Sequence, residues 1–221
     1  MLLGIICVIL CIILLIKVVS RKMGWSVLDK VLHMIHKPLG VIILVMAIIH
    51  AIITFKVWDT RSVLVYGSGI AATVMIFLMA VSFFLKQKNK KIWFKTHRVG
   101  AAVILALILF HISSYYVDFF AYKTNISQIS LSGIDITTIK DGNYVGEYDA
   151  GYIFAKVKVK VEDGRIEDIQ IMEHRNERGT PAEAITENII DEQKTNVDAI
   201  SGATNSSRVI EKAVENALIG K

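Results

Sequence analysis

The stretch His36-Lys37-Pro38-Leu39-Gly40-Val41-Ile42-Ile43-Leu44-Val45-Met46-Ala47-Ile48-Ile49-His50 holds two histidines around an apolar run with one charge. A second such stretch follows: His97-Arg98-Val99-Gly100-Ala101-Ala102-Val103-Ile104-Leu105-Ala106-Leu107-Ile108-Leu109-Phe110-His111. Neither alternates apolar with polar residues, so neither reads as a half-wet strand. Both read as helices continuously covered by apolar surroundings. Fourteen residues turn a helix through about 1400°, within about 40° of four full turns, and climb about 21 Å. The two histidines of each run therefore share a helix face. One lies near each side of a hydrocarbon layer about 30 Å thick.

Four apolar stretches reach the roughly 20 residues needed to cross a bilayer: residues 2–19, 38–56 with a helical lead-in from Ser26, 62–85 and 98–119. The first has no basic segment before it and no small-residue cleavage site after it, so it reads as an anchor and not a signal peptide. Charge divides the chain. Residues 1–124 carry 14 Lys and Arg against 3 Asp and Glu; residues 125–221 carry 11 against 17. The excess of base is thus a property of the membrane half. It flanks apolar segments and forms no basic stripe with interleaved aromatics, so nucleic acid is excluded as a partner. Lys17, Arg21, Lys22, Lys30 and Lys37 lie between spans one and two, and Lys86, Lys88, Lys90, Lys91, Lys95 and Arg98 between spans three and four. The positive-inside rule puts both connections in the cytoplasm. Both termini and everything after span four are then expected outside a bacterial cytoplasmic membrane. Tyr115, Tyr116 and Tyr122 form an aromatic belt at that face.

Spans two and four run in the same direction, so His36 comes level with His97 and His50 with His111. Two imidazoles at each level offer two bis-histidine haem b sites, with His36 and His97 on the inner iron and His50 and His111 on the outer. Ionisable groups inside a bilayer are costly and functional by default. Lys37 and Arg98 follow the first histidine of each pair and could meet a haem propionate; Gly40 and Gly100 could admit a flat macrocycle. His33 lies about 100° off the face of His50 and reads as interfacial. Cys7 and Cys11 read as small apolar residues of span one, with no disulfide framework. The histidine pattern resembles the haem-binding helices of ferric-reductase-like and related b-type cytochrome membrane domains. Those usually have more spans, which leaves the exact family open.

Beyond a polar connector at residues 120–140 the code changes. Val157, Val159 and Val161 alternate with Lys156, Lys158 and Lys160, a strand with one wet face. Asp163-Gly164 turns the chain into a second, bulged strand over Arg165–Glu173. Thr180-Pro181-Ala182-Glu183 has the form of a capping box opening a helix to about Gln193. Val209, Ile210, Ala213, Val214, Ala217 and Leu218 form one face of a last helix, with Asn205, Ser206 or Ser207 as N-cap and Gly220 as stop. His174 reads as a surface residue. The expected fold is an α-helical membrane bundle of four spans (residues 1–119) plus a small α+β domain (residues 141–221).

Asp198-Ala199-Ile200-Ser201-Gly202-Ala203-Thr204-Asn205-Ser206-Ser207 leads into that last helix. A loop before a helix N-terminus offers free N–H groups and the positive end of the dipole, a ready place for a phosphate. Gly202 and Ala203 permit close approach. The letters Asp-x-x-Ser-Gly-Ala-Thr, with Ser206 after an intervening Asn205, resemble the flavinylation motif of the FMN-binding domain family, found in membrane subunits of the Rnf complex and the sodium-translocating NADH:quinone reductase. The resemblance covers roughly residues 140–219. It implies FMN joined through a phosphoester to Thr204 by a flavin transferase outside the membrane. Asp198, Ser201, Gly202, Ala203, Asn205 and Ser206 would form the loop around it. Glu177 and Thr180 are implied ring contacts, since family members meet flavin with the segment before the preceding helix.

Together these features read as an electron conduit, from the cytoplasmic side or the quinol pool through two b haems to FMN on Thr204. The donor would be a membrane quinol or a cytoplasmic flavoprotein, and the acceptor an extracytoplasmic one. The absence of a nicotinamide-binding glycine fingerprint argues against direct NAD(P)H oxidation. Two alternatives stand beside it: an anchored flavin subunit of a larger redox complex, and a flavin-based redox sensor without haem.

Overall fold

Runs rich in Ile, Leu and Val become four long helices in the computed structural model, which describes residues 2–83, 86 and 89–220. They are α1 (Leu2–Lys22), α2 (Ser26–Phe55), α3 (Val63–Ser82) and α4 (Lys90–Ser127), all long and apolar enough to cross a membrane. Phe84, Leu85 and Lys88, counted in the third span and in the basic loop after it, lie outside the described residues. α4 runs eight residues past the end expected for the fourth span. The apolar side chains Ile42, Val45, Ile52, Phe77 and Leu109 point outward. In water such surface would collapse or aggregate; against lipid it costs nothing, and helices are stable there because they satisfy their own backbone.

The chain separates into two units. The first comprises residues 1–58 and 63–115, the second residues 59–62 and 116–221. In the first, α2 packs along α1 and α3. Small residues sit in the contacts, among them Ala47, Ala72, Ser20 and Ser68, the pattern that lets membrane helices approach closely. Lys17 Nζ pairs with Asp29 Oδ1 at 3.2 Å, tying the end of α1 to the start of α2.

The second unit is built on a three-stranded antiparallel sheet of β1 (Gly142–Asp149), β2 (Phe154–Glu162) and β3 (Arg165–Arg175), in that spatial order. Val157, Val159 and Val161 are buried, while Lys160 is exposed, as the alternation requires. Asp163 and Gly164 take φ of 49° and 69°, a type I′ hairpin that matches the strand twist. The bulged strand has two irregularities. Pairing jumps from Lys160–Asp168 to Val161–Ile166 and from Lys156–Glu173 to Val157–Ile171, leaving Glu167 and Met172 unmatched. Each extra residue resets the alternation, so Ile166, Ile169 and Ile171 can all turn inward despite their uneven spacing.

Across the inner face of the sheet lies α6 (Thr204–Ile219), with α5 (Ile185–Glu192) beside it. All six residues of the expected apolar face of α6 are buried, and Gly220 closes it with φ of 70°. β1, which carried no clear apolar alternation, packs on α6 through Gly146. A methyl group there would overlap the Ala217 amide nitrogen and the Ala213 carbonyl oxygen. The helix expected from Thr180 begins instead as a 3-10 turn over Thr180–Ala184 and becomes α-helical only at Ile185. The capping box does not form. Thr180 makes no side-chain cap, and Glu183 is drawn away to His174.

Candidate functional site

Residues 200–203 form a tight turn in which the Ala203 amide donates to the Ile200 carbonyl at 3.0 Å. Gly202 supplies the positive φ of 79° that the third position of such a turn demands. Its Cα faces open space. The turn is stapled from inside α6: Ser207 Oγ accepts from the Ile200 amide at 3.0 Å and donates to the Ala203 carbonyl at 3.2 Å. This overturns the expectation that Asn205, Ser206 or Ser207 is the N-cap. The cap position is Ala203, which has no side-chain acceptor, and Thr204 is the first helical residue. Ser207 is spent on the loop behind, and the first amides of α6 receive no side-chain cap. That is the arrangement a phosphate can complete.

Thr204 is exposed, as are Asp198, Ser201, Gly202 and Asn205, whereas Ala203 and Ser206 are buried. Thr204 therefore stands out from a loop whose neighbours anchor it. Ser206 packs on the turn at 176–179 so closely that Gly179 could carry no side chain without striking its hydroxyl. Asn176 shapes that turn, accepting from the Gly179 amide at 2.6 Å. The segment that carries Glu177 and Thr180 is thus brought to the start of α6. Glu177 itself is ion-paired with Arg61. Thr180 is exposed.

His174 is not a surface residue. Its side chain is 2% exposed, and Nδ1 lies 2.9 Å from Glu183 Oε1. Reading it as solvated missed the bulge that resets the register of β3. Two further groups were invisible in the sequence. Glu211 and Glu215 sit on the buried side of α6. Glu211 Oε1 accepts from the Val197 amide at 3.0 Å, fixing the approach to the loop before α6. Glu215 Oε1 accepts from the Ser132 amide at 3.0 Å, and Oε2 pairs with Lys212 at 3.1 Å. Acids four residues apart ordinarily mark a wet face; here loop amides take the place of water.

In the membrane unit the rings of His36 and His97 have centroids 6.0 Å apart, with planes at 62°. Trp93 stacks on His97 at 4.9 Å. His50 and His111 are near enough to interact electrostatically. Each tucks against a glycine of a neighbouring helix, His50 on Gly4 and His111 on Gly69. His111 Nδ1 lies 3.0 Å from the Val65 carbonyl and 3.2 Å from Ser68 Oγ. Bonding of Nδ1–H to a carbonyl leaves Nε2 as the lone-pair nitrogen, the tautomer a metal ligand needs. His33 is exposed, in keeping with an interfacial position. Among the described residues no three His, Cys, Asp or Glu side chains converge. Arg98 lines a cavity of about 530 Å³ with Arg21, Lys91 and Lys95.

No curated protein and no solved structure matches the chain. Residues 151–219, from just before β2 through the end of α6, match the family model described as FMN-binding domain.

Proposed function

We propose that the protein is a membrane electron conduit in which FMN is bonded covalently through its phosphate to Thr204 Oγ, and two haems b are held by His36 with His97 and by His50 with His111. The observation that carries it is the exposed Thr204 at an uncapped helix start, inside a segment that matches the FMN-binding domain. Bound FMN supplies reversible one- and two-electron chemistry, and iron with two histidine ligands supplies one-electron transfer with no open coordination site. The protein supplies placement. Ser207 and Gly202 hold the loop so that Thr204 Oγ faces outward. The first amides of α6 favour the negative charge of the phosphoester. The Val65 carbonyl fixes the His111 tautomer, and Gly4 and Gly69 give the outer histidines room.

The charge asymmetry supports a topology with both termini and the flavin domain outside a bacterial cytoplasmic membrane. A flavin transferase acts there in maturation. Electrons enter from a quinol or a cytoplasmic flavoprotein and leave to an extracytoplasmic acceptor, which includes other subunits of a redox complex. The test uses the full chain purified after co-expression with a flavin transferase. In-gel fluorescence of the denatured band should be present in the wild type and absent in Thr204→Ala. A reduced-minus-oxidised spectrum with pyridine-haemochrome quantitation should give two haems b in both. Fluorescence surviving in Thr204→Ala refutes the attachment; flavin without haem refutes the conduit.

A further inference from the structure

The flavin domain's own segment, residues 151–219, does not supply every side chain gathered at the attachment loop. Asn205, next to Thr204, donates from Nδ2 to the Tyr122 hydroxyl at 2.7 Å. The ring of Tyr122 stacks on that of Tyr152, centroids 4.9 Å apart and planes 15° from parallel. On Tyr152 lies Arg61, its guanidinium carbon 3.4 Å from the ring centre. Arg61 also pairs with Glu177, and its side chain is only 12% exposed. Arg61 and Tyr122 come from outside residues 151–219, from the α2–α3 connection and from the end of α4. That connection is fastened within the same unit: the Ser62 amide donates to Asp118 Oδ2 at 3.1 Å, and Arg175 Nη1 donates to the Asp59 carbonyl at 3.2 Å.

We propose that Arg61, Tyr152 and Tyr122 form one stack that completes the flavin site, with Tyr122 as the contact for the flavin ring and the Arg61–Glu177 pair as the charges that set its reduction potential. This rests on Thr204 being the attachment residue. Tyr122 is half-buried, so part of its ring is open, and its hydroxyl is fixed by the residue beside Thr204. A flat conjugated ring tethered to Thr204 finds there an aromatic surface suited to offset stacking. Reduction adds electrons to the flavin from the haem or quinol donor, while the tyrosines and Arg61 keep their oxidation states. The added negative charge is favoured by a nearby guanidinium and opposed by a nearby carboxylate. Burial of Arg61 limits screening by salt. A stack that served only to fasten the α2–α3 connection would respond to loss of either charge in the same way. A stack that tunes the flavin responds with opposite signs.

The experiment is a fluorescence-monitored redox titration of the full-length flavinylated protein, with in-gel fluorescence of the denatured band counting covalent flavin. Arg61→Gln should shift the flavin midpoint to more negative potential, Glu177→Gln should shift it to more positive potential, and Arg61→Lys should stay near the wild type. Tyr122→Leu should change native flavin fluorescence and leave denatured fluorescence unchanged. Charge variants that leave the midpoint in place, or move it in one direction, at wild-type flavin content overturn the proposal. Denatured fluorescence persisting in Thr204→Ala overturns the attachment reading, and this proposal with it.

Discussion

Ser207, Glu211 and Glu215 show how one helix can hold the loops around it. Ser207 leaves the cap position to brace the turn at residues 200–203, and the carboxylates on the buried side bind loops that water would otherwise solvate. The two acids are predicted to behave oppositely. Burial acts to raise the Glu215 pKa, but the Ser132 hydroxyl and amide and the Lys212 ammonium outweigh it and hold the group below its ordinary 4.5. A lowered acid contributes stability above its unfolded pKa, and that contribution is lost as pH falls through the folded value. Glu211 is pushed up, first by burial, against the opposing Val197 amide and Arg208. It favours folding when protonated, and stability falls as pH rises from 4.5 through its folded value. Glu215→Gln should therefore cost about 2 kcal/mol at neutral pH and flatten the loss of stability on acidification. Glu211→Gln should be neutral or stabilising at neutral pH. Chemical denaturation of the solubilised chain at pH 7 and pH 4, followed by tyrosine near-UV circular dichroism, separates the two.

At the scale of elements, the packing of α6 on the sheet decides where Thr204 stands. Contact between β1 and α6 is backbone on backbone at Gly146, with Ala213 and Ala217 opposite. Gly146→Ala should force strand and helix apart at a cost of about 3 kcal/mol. Hydrogen exchange should show it as faster exchange of α6 amides, while the amides of α2 and α3 are unaffected. Unchanged protection of α6 would refute that packing. α5 teaches the converse lesson. Thr180-Pro181-Ala182-Glu183 had every letter of a capping box, yet the 2%-exposed His174 takes the Glu183 carboxylate. A buried imidazole left without an acceptor costs more than an unmade cap.

At the scale of the whole molecule, the two histidine pairs should be separable. On the proposed haem sites, His111→Leu would remove one ligand of the outer pair and leave His36 and His97 with their 6.0 Å spacing. Haem content should fall from two per chain to one, with covalent flavin on Thr204 unchanged. Unaltered haem stoichiometry would refute the pairing, and loss of flavin as well would mean that the two units do not mature independently. Much of this organisation was legible beforehand. Four apolar runs became four helices, Asp163-Gly164 became a type I′ turn, and the apolar face of α6 was read residue by residue. β1 was not legible, because its Gly146 and polar neighbours hide a strand that packs by close backbone approach.

The sequence by itself determined which segments are apolar enough to enter lipid, the equal spacing of the histidine pairs, and the turn-forming letters of the loop before α6. Those properties are local: hydropathy, helical period and turn residues act over a few neighbouring positions. Only the tertiary structure decided that Ser207 braces the loop and caps nothing, that His174 is buried on Glu183, that two carboxylates of α6 bind distant loop amides, and that Arg61 and Tyr122 meet Tyr152 beside Thr204. Each depends on partners many residues away. A polar side chain goes where its hydrogen bonds and charge are satisfied, and with distant partners the choice is made by folding.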